Sequence, residues 1–525
     1  YATHRQAPVG GAYSFAAPIA AGKVTYKVSY GTTSGGIDST PLATVTDLVC
    51  GDAFIIEGQS NALATDNSAP NDTTTTNKWV RTYGLTSGWG YAISKGNDLQ
   101  LGLWGWYLAN RLVSNNNMPV CIINGAAGGT RIDQHRPNPA GHGTAGSLYS
   151  IYANLYNRVV GAKLTHGIRG LFWHQGEQNQ GSGGIDPDYD YKFYQQYFVD
   201  ISAAWKQDFP NLRNYYFFQI WPAACGDTSR NDQLREVQRT LPRLYSNMKM
   251  MSTHGIVPGS SCHYVPAGYQ VFSDRIGPLV EQDVYGVMPA AKLTAPNLQQ
   301  AYFTTAAKNE IALVFDQNMT WNVNAPIMMF LANSAGATSG SVSSGSAVGN
   351  TIKLQVSGAS SAATITFLKG LFPWMQADIL KGTNGIAALT FADVPIAALG
   401  PYGTWANGTF ANAFTDTAAT SDPDGDGKTN QDEFAFGLDP TTGSSVNPIT
   451  QQLAGGVFKY TRSKDSGLTY KVYYSTTLSG WTLDASATQS PAAAVAGIET
   501  VTVTLAAAAP SDGKLFVRVE ATPTP

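Results

Sequence analysis

Phe54-Ile55-Ile56-Glu57-Gly58-Gln59-Ser60-Asn61 decides how the first half of the chain is read. A short apolar run closed by glycine is the pattern of a buried strand, and Gly58 permits the sharp turn that ends it. Ser60 then falls at the carboxyl end of the first strand of its region. In open α/β sheets that edge is where ligands bind. A serine hydroxyl is a poor nucleophile unless a base takes its proton and donors await the oxyanion, so a reactive serine has to stand exposed at such a turn. The ordinary alternative is a strand-ending turn without chemistry.

Outward from this stretch, Val120–Ile123, Leu171–Trp173 and Tyr216–Ile220 repeat the short apolar run. Amphipathic stretches near 99–114, 147–163, 189–207 and 230–246 predict helices between them. Strands alternating with helices call for a parallel sheet covered on both faces, an α/β doubly wound arrangement. On the amino-terminal side, Lys23-Val24-Thr25-Tyr26-Lys27-Val28-Ser29-Tyr30 alternates apolar and polar residues, as half-buried strands do. Beyond Pro289 the helical pattern stops, and runs such as Glu310–Phe315 and Thr351–Val356 lie between Ser/Gly/Ala turns. The expected organisation is a β-rich lead-in over 1–45, a catalytic domain over 46–289, a β-sandwich over 290–400, an acidic linker over 401–447 and a small β domain over 448–525. Single cores stop growing at roughly 250–300 residues, which agrees with several domains in a chain of 525.

Charged residues make up only 13% of the chain, against roughly 25% in ordinary globular proteins, and the formal net charge is −3. No run of Lys or Arg offers a footprint for a phosphate backbone, so nucleic acid is excluded as an expected partner. No apolar stretch approaches the roughly 20 residues that span a bilayer, and Tyr1 to Gly11 show no charged-then-apolar leader pattern. A secreted bacterial protein, already processed, is the expectation. Cys50, Cys121, Cys225 and Cys262 permit three pairings and lack zinc-site spacing. A Cys50–Cys121 bridge and a Cys225–Cys262 bridge are the pairings weighed against four buried thiols.

Four further segments stand where partners of Ser60 are expected. Asn124-Gly125-Ala126-Ala127-Gly128-Gly129-Thr130 follows the second strand, and its glycines allow backbone N–H groups to approach a reacting carbonyl. Trp173-His174-Gln175-Gly176-Glu177-Gln178-Asn179 follows the third and offers an amide and a carboxylate. Leu234-Arg235-Glu236-Val237-Gln238 lies on a predicted helix, and His263-Tyr264-Val265-Pro266-Ala267-Gly268-Tyr269 comes last. This ordered set, over roughly 45–285, resembles the sialate O-acetylesterase and plant-type carbohydrate acetylesterase branch of the SGNH hydrolase superfamily. The resemblance implies a flavodoxin-like three-layer fold and a carbohydrate acetylesterase with an acetylated oligo- or polysaccharide as substrate and no catalytic cofactor. It implies Ser60 as nucleophile and His263 as general base. The oxyanion donors it implies are the N–H of Ser60, a backbone N–H at Gly128 or Gly129, and the Gln175 amide.

One departure stands out. The family carries an acidic residue three positions before the histidine, where this chain has Ser260. Glu177 of the Gln-Gly-Glu segment is the expected substitute, and a Ser-His dyad is the alternative. The missing acid also supports a competing reading, a decayed enzyme acting as a carbohydrate-binding or surface protein. An aryl or short-chain esterase is a third. Gln59, Asn61, His135 and Arg235 are the candidate substrate contacts, although a Pro/Gly-rich loop holds His135 and a structural hydrogen-bonding role suits Arg235. His254 is a minor rival to His263, and His174 is expected to pack.

Asp422-Pro423-Asp424-Gly425-Asp426-Gly427-Lys428-Thr429-Asn430-Gln431-Asp432-Glu433 fits the twelve-position calcium loop, with glycine at the sixth position. Asp422, Asp424, Asp426, the Lys428 carbonyl, Asn430 through water and bidentate Glu433 form the expected shell of a structural Ca2+.

Overall fold

The structure is a computed structural model. It describes residues 2–67, 69, 77–181, 191–221, 228–256, 263–305, 307–370, 379–397, 400–409, 419–444, 447–464, 466–506 and 514–523. Cys225, Ser260 and Cys262 lie outside the described residues, and with them the second bridge considered above.

Five parallel strands organise the first region: β1 (Asp52–Gly58), β2 (Val120–Asn124), β3 (Ile168–His174), β4 (Asn214–Gln219) and β5 (Met248–Ser252). Their order across the sheet is 2-1-3-4-5, with Val80–Gly84 and Gly88–Tyr91 added beyond β2, the last one antiparallel. The interior of β1 is apolar because both faces of the sheet are covered. Ala53 and Ile55 enter a core built with α3 (Ser150–Gly161) and α4 (Tyr191–Asp208). Phe54 and Ile56 point the other way, into a core built with α2 (Leu103–Asn116) and α6 (Pro266–Tyr285). Each such side chain, fully buried, contributes roughly 1.5–3 kcal/mol. The result is a three-layer sheet whose switch point, where the order reverses, lies between β1 and β3.

The β5 strand and the edge pair at 80–91 do not stand out in the sequence. Lys249 interrupts the apolar run of β5, and the edge strands are short and rich in Gly and Tyr. The lead-in is an antiparallel ribbon, Gly22–Tyr30 against Ala43–Cys50, with most side chains exposed.

The region after Pro289 differs from the expected sandwich. Seven strands join in one continuous sheet, in the order Met329–Ala332, Thr364–Phe367, Phe391–Ala397, Leu298–Phe303, Glu310–Phe315, Thr351–Ser357, Ser341–Val348. Its two edge strands approach each other, so the sheet curls into a near-barrel instead of facing a second sheet. Alternation in Thr351–Ser357 buries Ile352, Leu354 and Val356.

The chain divides into two compact units, Tyr1–Ala301 with Ile311–Ile396, and Tyr302–Glu310 with Ala397–Pro525. In the second, a four-stranded and a three-stranded sheet share a core of Phe458, Tyr460, Tyr470, Val472, Val501 and Val503. Cys50 and Cys121 are free thiols, which corrects the first bridge, and burial pushes the Cys121 thiol up to about 12. Among the described residues, no helix is long and apolar enough to cross a membrane.

Candidate active site

The site forms at the switch point. At Gly58 the chain leaves β1 with φ of +130°, and a Cβ there would stand 2.1 Å from the His174 carbonyl oxygen. The Gln59 N–H donates to that same carbonyl at 2.9 Å. Glycine is therefore required where β1 and β3 run out together, and the turn delivers Ser60 to the start of α1 (Ser60–Leu63). Ser60 is half-buried, between the fully buried Gln59 and Asn61.

The loop after β2 closes over this turn. Gly125 N–H donates to Ile56 O and Ala127 N–H to Gly58 O, at 2.9 and 3.0 Å. Gly128 and Gly129 are exposed, and a Cβ added at Gly128 would lie 3.8 Å from the Ser60 Cβ. Ser60 and Gly128 thus come together, and a Cβ added at Gly129 would meet nothing within 4 Å among the described residues.

Gln175 takes a different place from the one expected. Its buried Nε2 lies within hydrogen-bond distance of three acceptors, Gln59 Oε1 (3.2 Å), Thr130 O (3.0 Å) and Asn179 Oδ1 (2.7 Å). An amide has only two N–H bonds, and protein acceptors occupy them. Gln175 ties the three loops to one another instead of presenting an oxyanion donor. Gln59 serves the same purpose from the other side, its Oε1 also accepting from the N–H groups of Gly176 and Gln178.

Asn61 donates to Glu177 Oε1 at 2.8 Å and accepts from the Tyr269 hydroxyl at 3.0 Å, while Trp104 Nε1 donates to its carbonyl. Buried in this way, Gln59 and Asn61 shape the site from beneath and do not face substrate. Glu177 Oε1 also lies 3.1 Å from His174 Nε2, and that imidazole stacks against Phe218 and Phe272, which touch each other. Burial alone would raise the Glu177 carboxyl; His174 and Asn61 outweigh it and hold the group below its ordinary value. Glu177 Oε1 is thus engaged by His174 and Asn61, while Oε2 is buried with no hydrogen-bond partner among the described residues. The carboxylate on His263 is that of Asp66, with Oδ2 3.1 Å from Nδ1. Asp66 was not singled out in the sequence, because it lies in the turn beyond α1 and belongs to no recognisable motif.

His135 and Arg235 are both buried, with their polar atoms hydrogen-bonded inside the protein. His135 Nδ1 sits 2.7 Å from Glu57 Oε1 and its Nε2 2.9 Å from Thr130 Oγ1, so both ring nitrogens are used inside the protein. Burial raises the Glu57 carboxyl in spite of this contact. Arg235, on α5 (Asn231–Thr240), donates through Nε to Asn231 Oδ1 and through Nη2 to Leu368 O, which anchors the near-barrel sheet. Burial draws its guanidinium down to about 10. His254 is buried against Phe367, and desolvation, with Arg235, Arg275 and Lys381 adding to it, keeps it well below its ordinary value. His263 stands just ahead of α6, its side chain 21% exposed.

In the second unit, ligand oxygens of Asp422, Asp424 and Asp426 all lie within 4.8 Å of one another. Gly425 and Gly427 N–H groups donate to Asp422 at 2.9 Å, folding the loop around its carboxylates. Glu433 is fully buried, and neither carboxylate oxygen has a hydrogen-bond partner among the described residues. Burial first, then Asp424, Asp426 and Asp422, push that carboxyl up to about 7. A buried carboxylate without donors, facing three others, fits a hard cation with oxygen ligands.

Comparison with known proteins places this geometry. Residues 51–276 match the family model described as a carbohydrate esterase, sialic acid-specific acetylesterase. No curated protein sequence matches the chain. A carbohydrate acetylesterase from Xanthomonas citri superposes with a TM-score of 0.51 at 18% identity, over 66% of this chain and 82% of that one. A protein of Arabidopsis thaliana is similar at 17% identity over 44% of this chain and 98% of that one, with a TM-score of 0.35. An acetylxylan esterase from Geobacillus stearothermophilus, in a catalytic mutant form, aligns at 11% identity over 46% and 97%, with a TM-score of 0.28. Residues 51–276 are thus similar to the sialic acid-specific acetylesterase family, and the fold is similar to that of the Xanthomonas citri protein.

Proposed function

We propose that the chain is a carbohydrate O-acetylesterase working through an acyl-serine intermediate. The observation that carries this reading is the meeting of Ser60 and Gly128 at the switch point, with open space beside them. The sialic acid-specific acetylesterase match over 51–276 and the Xanthomonas citri acetylesterase fold support the carbohydrate ester as the substrate class.

In this reaction His263 takes the Ser60 proton as Oγ adds to the acetyl carbonyl, giving a tetrahedral oxyanion. The N–H groups of Ser60 and of Gly128 or Gly129 stabilise it. Collapse breaks the ester C–O bond, and His263 returns the proton to the departing sugar hydroxyl. Water, deprotonated by His263, then adds to the acetyl-serine; its collapse frees acetate and restores Ser60. Gln59, Gln175 and Asn61 hold the loops in register and do not touch the reacting atoms.

Asp422, Asp424, Asp426 and Glu433, with the Lys428 carbonyl and Asn430 completing the shell, hold a structural Ca2+ that stabilises the second unit. A charge-poor composition supports an extracellular or periplasmic address.

Acetate release from a panel of acetylated glycans, alongside a small chromogenic acetyl ester, tests the function. The wild-type protein releases acetate and Ser60→Ala does not. Acetate release unchanged in Ser60→Ala, or none by the wild type on any substrate, sinks the reading and favours a binding protein built on an inactive esterase scaffold.

A further inference from the structure

We propose that Asp66 is the positioning carboxylate of His263, replacing the acid that relatives carry at the position of Ser260. The inference rests on the reading of Ser60 and His263 as nucleophile and base. Its observation is the 3.1 Å approach of Asp66 Oδ2 to His263 Nδ1. A carboxylate only accepts, so Nδ1 carries the hydrogen, and Nε2 is left as the basic nitrogen. That Nε2 is shielded from solvent.

The surrounding structure holds Asp66 where it is needed. Ala64 ends α1 in the left-handed region at φ of +52°, its N–H donating to Ser60 O at 2.8 Å. Asn67 then secures the turn: its Nδ2 donates to Ala64 O at 2.9 Å, its Oδ1 accepts from Ala69 N–H at 2.9 Å, and Lys95 Nζ donates to its carbonyl at 3.1 Å. Asp66 is fixed between these bonds, a single turn beyond the nucleophile.

The histidine segment is tied to the same piece of chain. Pro266 opens α6, and Tyr269 in its first turns donates to Asn61, the neighbour of Ser60. The stretch Ser60–Asp66 and the stretch His263–Tyr269 are therefore clasped twice, through Asn61–Tyr269 and Asp66–His263. Nucleophile and positioning acid come from one short segment and the base from the other. A carboxylate placed three residues before the histidine is not needed in this arrangement. Because the Asp66 side chain is 74% exposed, water screens the pair, and its effect is smaller than that of a buried triad acid.

Steady-state kinetics on a small acetyl ester, with phosphonylation of Ser60 by a fluorophosphonate, tests the assignment. In the second measurement an Oγ–P bond forms, fluoride leaves and His263 accepts the proton, so the rate reports base function without any glycan. Asp66→Asn is expected to lower kcat and the labelling rate about 10- to 100-fold, with KM within about twofold and the melting temperature unchanged. Asp66→Glu is expected to restore part of the loss, which a purely structural residue at this exposed position would not require. Wild-type kcat and labelling in Asp66→Asn, while Ser60→Ala is inactive, overturn the assignment and leave the esterase reading standing. A larger loss in Glu177→Gln, with its melting temperature also unchanged, moves the role to Glu177 and overturns it as well. Wild-type turnover in Ser60→Ala defeats the esterase reading itself.

Discussion

A Cβ at Gly58 would sit 2.1 Å from the carbonyl oxygen of His174, so β1 and β3 approach one another at the site as closely as two backbones allow. Gly58→Ala meets both this clash and a φ of +130° that L side chains rarely adopt. A loss of at least about 2 kcal/mol is expected, together with loss of esterase activity as the Ser60 turn shifts. Chemical denaturation compared with wild type checks it; unchanged stability would mean that the turn can open without cost.

Gly128 offers the opposite case. Its φ is not in the left-handed region, and among the described residues the one neighbour within 4 Å of an added Cβ is the Ser60 Cβ at 3.8 Å. Gly128→Ala should leave the melting temperature unchanged while lowering kcat/KM at least about tenfold, since the methyl fills the space where the oxyanion forms. Full activity in this variant would place the oxyanion donors elsewhere.

The buried Glu57–His135 contact braces the loop that carries Gly128, because His135 also binds Thr130. His135→Ala leaves Glu57 buried without its partner and should cost about 3 kcal/mol. Thermal and urea unfolding measure this. Wild-type stability with a selective rise in KM would instead return His135 to substrate contact.

Glu177 is held below its ordinary value, so the folded state binds its proton less tightly than the unfolded chain does. Its contribution is complete above the ordinary carboxylate value of 4.5 and disappears as pH falls through the lower folded value. The acid limb of the stability profile should be shallower in Glu177→Gln than in wild type. Parallel profiles between pH 2 and 6 would contradict this coupling.

Chelation addresses the second unit. With EDTA, four carboxylates face one another across the Asp422–Glu433 loop, and the melting temperature of the second unit should fall. Re-addition of Ca2+ should restore it, and Asp424→Asn with Asp426→Asn should abolish the response. Initial rates on a small acetyl ester at low temperature should be the same with and without chelator.

The alternating strands and helices of 46–289 are legible because a sheet covered on both faces demands unbroken apolar runs, and Phe54–Ile56 or Val120–Ile123 supply them. The place of Ser60 at a turn follows from Gly58 and a strand end. The cluster of Asp422, Asp424 and Asp426 is equally legible, since its carboxylates lie within one short segment. What the sequence leaves open is every relationship between distant segments. Asp66 reaches His263 only because α1 and the start of α6 are brought together over the switch point, and no spacing rule connects positions so far apart. Gln175 and Glu177 lie in a motif that suggests chemistry, yet contacts with Gln59, Asn61 and His174 engage Gln175 Nε2 and Glu177 Oε1. Hydrogen bonds are local in space, and only the folded chain decides which polar atoms remain for substrate.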